Sequence, residues 1–153
     1  MSTSSDRRLQ KELNEMLKNP ISGISVDTGA MKDDDLYKWH IQLSGSKGTF
    51  YDGERFTLQF KFSSTYPLDS PQVIFIGDNI PAHPHVYSNG HICLSILTED
   101  WSPALTVEGV CLSIISMLSS AKVKKRPADD KIYVRICSKN PKKTKWDFHD
   151  EKA

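Results

Sequence analysis

The hydrophobic period of this chain changes twice, and that limits the folds open to it. Residues 6–18, "DRRLQKELNEMLK", place Leu9, Leu13, Met16 and Leu17 at i, i+4, i+7 and i+8, one apolar stripe at helical spacing. Asn19-Pro20 ends that helix. Arg7, Arg8 and Lys11 fall off the stripe and are expected at the surface. "SGISVDTGAMKDDD" reads as a polar connector. From residue 36 the period becomes two: Trp39, Ile41 and Leu43 alternate with His40, Gln42 and Ser44, as in a half-buried strand. Phe56, Leu58, Phe60 and Phe62 alternate with Arg55, Thr57, Gln59 and Lys61 in the same way, and Asp52-Gly53 between the two runs is hairpin-turn chemistry. "YPLDSP" breaks the ladder with two prolines, and "QVIFI" is a further short strand. At 107–121 the helical period returns: Val107, Val110, Cys111, Ile114, Ile115 and Leu118 share a face, with Thr106 as N-cap and Glu108 at the positive end of the helix dipole. A helix, an antiparallel meander and a second helix make an α+β domain.

The stretch between, residues 77–105, has little periodicity and holds Pro81, Pro84 and Pro103. Long loops in compact domains are functional or disordered. This one carries Ile80, Val86, Tyr87, Ile92, Leu94, Ile96, Leu97 and Trp101, too apolar for disorder, and is expected to pack on the body. Past Lys122 the pattern fades: "KIYVRIC" suits a short helix or a strand, and "SKNPKKTKWDFHDEKA" is polar apart from Trp146 and Phe148. Charge divides at the same place. Residues 1–121 carry 9 Lys and Arg against 14 Asp and Glu, whereas residues 122–153 carry 11 against 5. The basic end is either a solvated tail or a face for an acidic partner. No aromatic-interleaved module frames it, so nucleic acid is not expected.

A length of 153 residues suits one domain. No apolar run nears the roughly 20 residues that span a bilayer, so no membrane partner is expected. "MSTSSDRRLQ" has no apolar h-region and reads as no secretory signal. Three cysteines at wide spacing do not make a disulfide framework, and a reducing cytoplasm or nucleus is the expected setting. "KVKKR" and "KNPKKTK" hint at nuclear entry, though basic runs are commonly just solvated.

The densest chemistry lies in "HPHVYSNGHICLSIL", residues 83–97. Three readings fit it. His83, His85, His91 and Cys93 offer four metal ligands, but the five-residue spacer between the pairs is cramped for a tetrahedral site. Cys93 beside histidines is a candidate nucleophile, whereas Cys111 sits on a buried helical stripe and Cys137 in the sparse tail. His83-Pro84 and Asn89-Gly90 are also plain turn chemistry, with His filling a loop that needs a donor and an acceptor.

Here the residues resemble a known family. "YP…SP", the histidine-rich stretch with Cys93 eight residues after His85, and Trp-Ser-Pro-Ala eight residues after Cys93 are similar to the ubiquitin-conjugating enzymes. "KNPKKTKW" and the third residue of His-Pro-His resemble the W type of that family. The resemblance implies the ubiquitin-conjugating fold: N-terminal helix, four-stranded antiparallel meander, active-site loop, central helix and a variant C-terminal segment. Residues 1–121 would be the catalytic core and 122–153 a basic C-terminal segment of the same domain. Cys93 would take ubiquitin as a thioester from the activating enzyme, which uses ATP upstream; no cofactor is expected on this chain. His83 and His85 would serve the catalytic loop. Arg7, Arg8 and Lys11 would meet the activating enzyme and RING or U-box ligases, with Leu68 and Ser102-Pro103-Ala104 as the apolar part of the ligase surface. The alternatives are a catalytically idle module that binds ubiquitin or a ligase, and a metal-binding interaction domain.

Two departures from the family pattern bear on the acceptor. Where the family has His-Pro-Asn, this chain has His85, and the Asn is held to steady the loop or to donate to the oxyanion, an effect of about 3–4 kcal/mol. Counted without gaps, the acid that sheds a lysine proton falls at Lys125; Asp129 and Asp130 read as a solvated turn. At pH about 7.2 roughly one α-amine in five is neutral but under about one lysine in a thousand. An enzyme weak in proton removal therefore favours protein N-termini, the specificity the W type also implies. Trp146 and Phe148 are expected either to hold a flexible substrate N-terminus or to pack on the body.

Overall fold

The computed structural model describes residues 2–31 and 35–143. Helix α1 spans Ser4–Lys18, starting two residues earlier than the apolar stripe indicates. The reason is a capping box: Asp6 N–H donates to Thr3 Oγ1 at 3.0 Å and Thr3 N–H to Asp6 Oδ2 at 2.9 Å. Leu9 and Leu13 are buried as expected, but Leu17 is half exposed at the helix end. The stripe's unforeseen member is Glu12, 8% exposed, which lies between Leu9 and Leu13.

Four antiparallel strands follow in spatial order β1-β2-β3-β4: Ile24–Val26, Lys38–Ser44, Arg55–Lys61 and Gln72–Ile76. β1 lies inside the stretch read as a polar connector. Three residues are too few to show a period, and β1 is recruited by pairing with β2, Ile24 opposite Leu43 and Val26 opposite Ile41. Register keeps one face apolar: Trp39 faces Phe60, Ile41 faces Leu58, Leu43 faces Phe56 and Leu58 faces Phe75, all buried. Asp52-Gly53 sits at the far end of a ten-residue connection, with Gly53 at φ +82°, rather than forming a two-residue hairpin turn.

Helix α2, Val107–Ser119, is capped by Thr106, whose side chain accepts from Gly109 N–H at 3.0 Å. Its Val107, Val110, Cys111, Ile114 and Leu118 complete one core with the sheet face and with Leu9 and Leu13. "KIYVRIC" resolves as a helix, α3, Asp130–Ile136. The C-terminal segment is tied to the body before it: Lys124 Nζ pairs with Glu54 at 2.7 Å and donates to Phe50 O, while Lys142 Nζ donates to Ser70 O at 2.7 Å.

Candidate active site

Residues 77–106 turn back onto the sheet immediately after β4. Phe75 N–H donates to Gly90 O at 2.9 Å, and His91 bridges Ile74. Gly90 stands at φ +91°, and a Cβ there would sit 1.9 Å from Phe75 O. The Asn89-Gly90 pair is therefore what lets the loop lie against the strand. The turn closes with Gly90 N–H to Tyr87 O and Tyr87 N–H to His91 O, both at 2.9 Å.

The three histidines are each engaged by protein atoms. His83, fully buried, accepts from His85 N–H at Nδ1 (2.9 Å) and donates from Nε2–H to Met117 O (3.1 Å), which ties the loop to the end of α2. Both ring nitrogens are in use in the neutral form, and burial, reinforced by the neighbouring His85, pushes the imidazole down to about 4. His85 donates from Nδ1–H to the carbonyl of Cys93 at 3.1 Å, and Cys93 N–H donates back to His85 O at 2.8 Å. His85 Nε2 is buried with no hydrogen-bond partner among the described residues. His91 is hydrogen-bonded through Nδ1 to Tyr133 Oη at 2.7 Å, and desolvation lowers its pKa. Only His83 has both ring nitrogens in hydrogen bonds, and among the described residues no three His, Cys, Asp or Glu side chains are grouped so as to hold a metal ion.

Cys93 sits 8% exposed between the His85 pairing and the short turn Ser95–Leu97. Cys111 is core, its thiol pushed well above the ordinary range by burial and, secondarily, by Glu108. Cys137 follows α3 and accepts from Asn89 Nδ2 at 3.2 Å.

The chain after α2 grips the loop from the other side. The Arg126 guanidinium donates to the carbonyls of Ile80 and Pro81 at 2.7 and 2.5 Å. Asp129 accepts from Tyr87 Oη at 3.0 Å, and Asp130 from Ser88 N–H at 2.7 Å. Asp129 does lie in an exposed turn, as read, but both acids also anchor the loop. Tyr87 and Tyr133 stack with centroids 3.7 Å apart; burial, with the Asp129 contact second, raises the Tyr87 hydroxyl well above its usual range. Arg126, Tyr87 and Tyr133 were not legible as site residues, because nothing in a spacing marks a residue that acts across 40 positions. Lys125 is exposed.

Elsewhere on the surface, Leu68 is 74% exposed and Ser102, Pro103 and Ala104 are all exposed. Trp101 joins their two loops, its Nε1–H donating to Pro67 O at 2.8 Å. Arg7 and Lys11 lie exposed on α1, as expected, but Arg8 does not. Its guanidinium donates to Glu12 at 2.8 Å and to Pro103 O and Leu105 O at 2.8 and 2.9 Å, and lies over the Tyr66 ring. Arg8 is a strut between α1 and the 103–105 loop, and that loop's cation is exposed only in part. Arg8, Lys11, Pro103 and Ala104 line one groove. Trp146 and Phe148 lie outside the described residues.

The family model described as "Ubiquitin-conjugating enzyme" matches residues 8–149. The chain belongs to the ubiquitin-conjugating enzyme family. It is 60% identical over 148 residues to a probable ubiquitin-conjugating enzyme E2 W-A of Danio rerio, covering 97% of each chain. It is 58% identical over 151 residues to ubiquitin-conjugating enzyme E2 W of Caenorhabditis elegans, covering 99% of each. Among solved structures, the ubiquitin-conjugating enzyme E2 UbcA1 of Agrocybe aegerita superposes with a TM-score of 0.85 at 46% identity, over 93% of this chain and 100% of that one. The protein is thus a ubiquitin-conjugating enzyme, an α+β transferase with the helix, four-stranded sheet and helix order of that family. On this fold the segment after α2 holds the loop that carries Cys93 through Arg126, Asp129, Asp130 and Tyr133. No helix among the described residues is long and apolar enough to cross a membrane.

Proposed function

We propose that this enzyme accepts ubiquitin as a thioester on Cys93 and passes it to the N-terminal α-amino group of substrate proteins. The observation that carries the acceptor preference is the state of the groups around the loop. The Nδ1–H of His85 is directed at the Cys93 carbonyl, and Asp129 and Asp130 are held by Tyr87 and Ser88. Both carboxylates are already engaged by the loop, Asp130 partly buried and Asp129 in an exposed turn, so taking a proton from an incoming lysine ammonium would compete with those bonds. An α-amine, with its lower pKa, arrives neutral far more often. That population advantage exceeds about a hundredfold near neutral pH, or about 3 kcal/mol, of which lysine's greater basicity recovers part.

The chemistry runs through Cys93. Its thiolate displaces the activating enzyme's thiolate from the ubiquitin C-terminus; the acceptor amine then attacks the new thioester carbonyl, loses a proton, and expels Cys93. His83 and His85 position the loop. Arg7, Lys11, Leu68, Ser102, Pro103 and Ala104 present a surface for the activating enzyme and for RING or U-box ligases, and Arg8 shapes it from behind. Thiol chemistry of this kind needs a reducing compartment, so we place the enzyme in cytoplasm or nucleus.

Charging with activating enzyme, ubiquitin and ATP tests the reading. A reductant-sensitive adduct is expected, lost in Cys93→Ala and replaced by a reductant-resistant ester in Cys93→Ser. A chain that never loads is an idle binding module instead. Acetylating a model substrate's N-terminus is expected to stop its modification, and replacing its lysines by arginine is not. Undiminished transfer to the acetylated substrate overturns the α-amine preference.

A further inference from the structure

An acidic, partly apolar groove runs along α1 and on past the 103–104 loop. Its near part, a cavity of about 380 Å³, begins at Arg8, Pro103 and Ala104 and reaches Glu15, Met16 and Glu108. Its far part, about 110 Å³, continues from Met16 and Glu108 and is walled by Leu17, Ile21, Ile24 and Val26. Met16 and Glu108 line both, so the two parts lie end to end. Arg8 to Leu17 is about 14 Å along the helix at 1.5 Å per residue. The residues assigned above to the ligase and the activating enzyme include none of Met16, Leu17, Ile21 and Glu108.

Two features of this groove do nothing for the fold. Leu17, 51% exposed, is no part of the core, and it stands beside Met16, Ile21 and Val26, which are covered only in part. Glu15 is in the last turn of α1, where the helix dipole disfavours a carboxylate. Its Oε1 is held in place by Asn19 Nδ2–H at 2.7 Å. Glu108 suits the start of α2, yet neither acid has an ion-pair partner among the described residues. Lys18, in the same turn as Glu15, lines the hollow on the Leu36 side of α1 and neither part of the groove.

Two carboxylates beside apolar side chains repel a phosphate backbone or an anionic membrane and suit a chain that carries cations and apolar residues together. The groove starts at the ligase surface, so a ligase seated there can bring the occupant with it. We propose that the groove receives a basic, apolar segment flanking a ligase's RING or U-box module, as a second contact beyond the module itself. The inference rests on the ligase surface assigned above and adds a partner segment to it. Two modest contacts joined by a linker reinforce each other, because the second forms at an effective concentration of about a millimolar.

The test uses a RING domain in three forms: bare, or extended through a flexible Gly-Ser linker by a helical Lys–Leu peptide or by a Glu–Leu peptide. Stimulated discharge of the charged enzyme is measured against RING concentration. The Lys–Leu form is expected to half-saturate at about tenfold lower concentration than the bare domain, with the gap narrowing as salt rises. Glu15→Lys with Glu108→Lys is expected to transfer that gain to the Glu–Leu form, while the bare domain works as before. Misfolding does not produce such an exchange. Leu17→Ser with Ile21→Ser is expected to cut the gain about threefold through lost apolar burial. Equal half-saturation for the three forms, or a gain that survives the charge reversal, overturns the inference and leaves the ligase surface standing. Slower charging by the activating enzyme in the reversal variant also overturns it, since the groove would then serve that enzyme. Loss of self-association in that variant does the same, since the occupant would be a second copy of the chain. A bare domain whose stimulation is unaffected by Ala104→Asp overturns the ligase surface and the inference with it.

Discussion

Glu12 and His85 are both buried polar side chains, and the fold treats them in opposite ways. Glu12 joins α1 to α2 and is saturated. Its Oε2 accepts from Tyr66 Oη at 2.6 Å and Arg8 Nε at 2.8 Å, and its Oε1 accepts from the first N–H of α2, Val107, at 2.7 Å. That last bond also places a negative charge at the positive end of the α2 dipole. His85 is tied down on one side only, with Nε2 left without a partner among the described residues. A buried carboxylate is tolerable only when its hydrogen bonds are made, so Glu12 serves the framework. A buried ring nitrogen with no protein partner is a cost to stability that catalysis can explain. The α1–α2 junction has its buried polar atoms paired, whereas the loop carrying Cys93 keeps one that is not.

The comparison breaks most visibly at Glu12. Glu12→Ala strands the Tyr66 hydroxyl and the Val107 N–H and leaves Arg8 without its acid. The expected loss is about 3 kcal/mol, the low end for a broken buried pair because Arg8 keeps some access to water. Urea unfolding of the variant measures it. A loss near zero would show that Glu12 is as replaceable as a surface acid. Glu12→Gln keeps shape and one acceptor and is expected to fall between the two.

His83 sharpens the contrast from a third position: it is saturated like Glu12, yet it titrates. Its neutral form is held in the fold, with a pKa near 4 against an ordinary 6.5. The unfolded chain therefore binds the extra proton first, and stability that is full above pH 6.5 is lost as pH falls toward 4. By pH 5 the loss from this one group is about 2 kcal/mol, and His91, lowered for the same reason, adds to it in the same direction. Urea midpoints at pH 7 and pH 5 check the slope, and a flat profile would mean that His83 is not held neutral.

How much of this was readable in the sequence depended on distance along the chain. Local periods located α1, α2 and three strands, and the loss of period over an apolar, proline-bearing stretch marked the loop. β1 escaped because three residues carry no period and are ordered by their partner strand. Glu12 was legible in principle: a carboxylate at i+3 from Leu9 and i−1 from Leu13 falls on the apolar stripe and calls for buried donors. Arg8 was read as exposed because its position on the helix is off that stripe, while its long side chain reaches back to Pro103 and Leu105. Asp129 and Asp130 looked like a solvated turn because the groups they hold, Tyr87 and Ser88, lie 42 residues away. The family resemblance supplied the role of Cys93, which the residues alone had left open between a nucleophile and a turn filler, with a metal site cramped.

The smallest stability effect falls where the functional effect is most specific. His85→Asn keeps an N–H able to reach the Cys93 carbonyl and removes the stranded ring nitrogen, so stability is expected to change by less than about 1 kcal/mol. Transfer should respond in kind rather than only in rate. An amide N–H that moves to the developing oxyanion helps any amine, but it helps most where the nucleophile is otherwise handicapped, as lysine is by its proton. Single oxyanion donors contribute about 3–4 kcal/mol at most, and part of that is expected here, because the Cys93 carbonyl competes for the same N–H. The ratio of lysine to α-amine discharge, measured on paired peptides with one or the other nucleophile blocked, is expected to rise about tenfold. An unchanged ratio would mean that His85 and Asn do the same work in this loop, and the acceptor preference would then have to come from how the substrate is held rather than from the chemistry around Cys93.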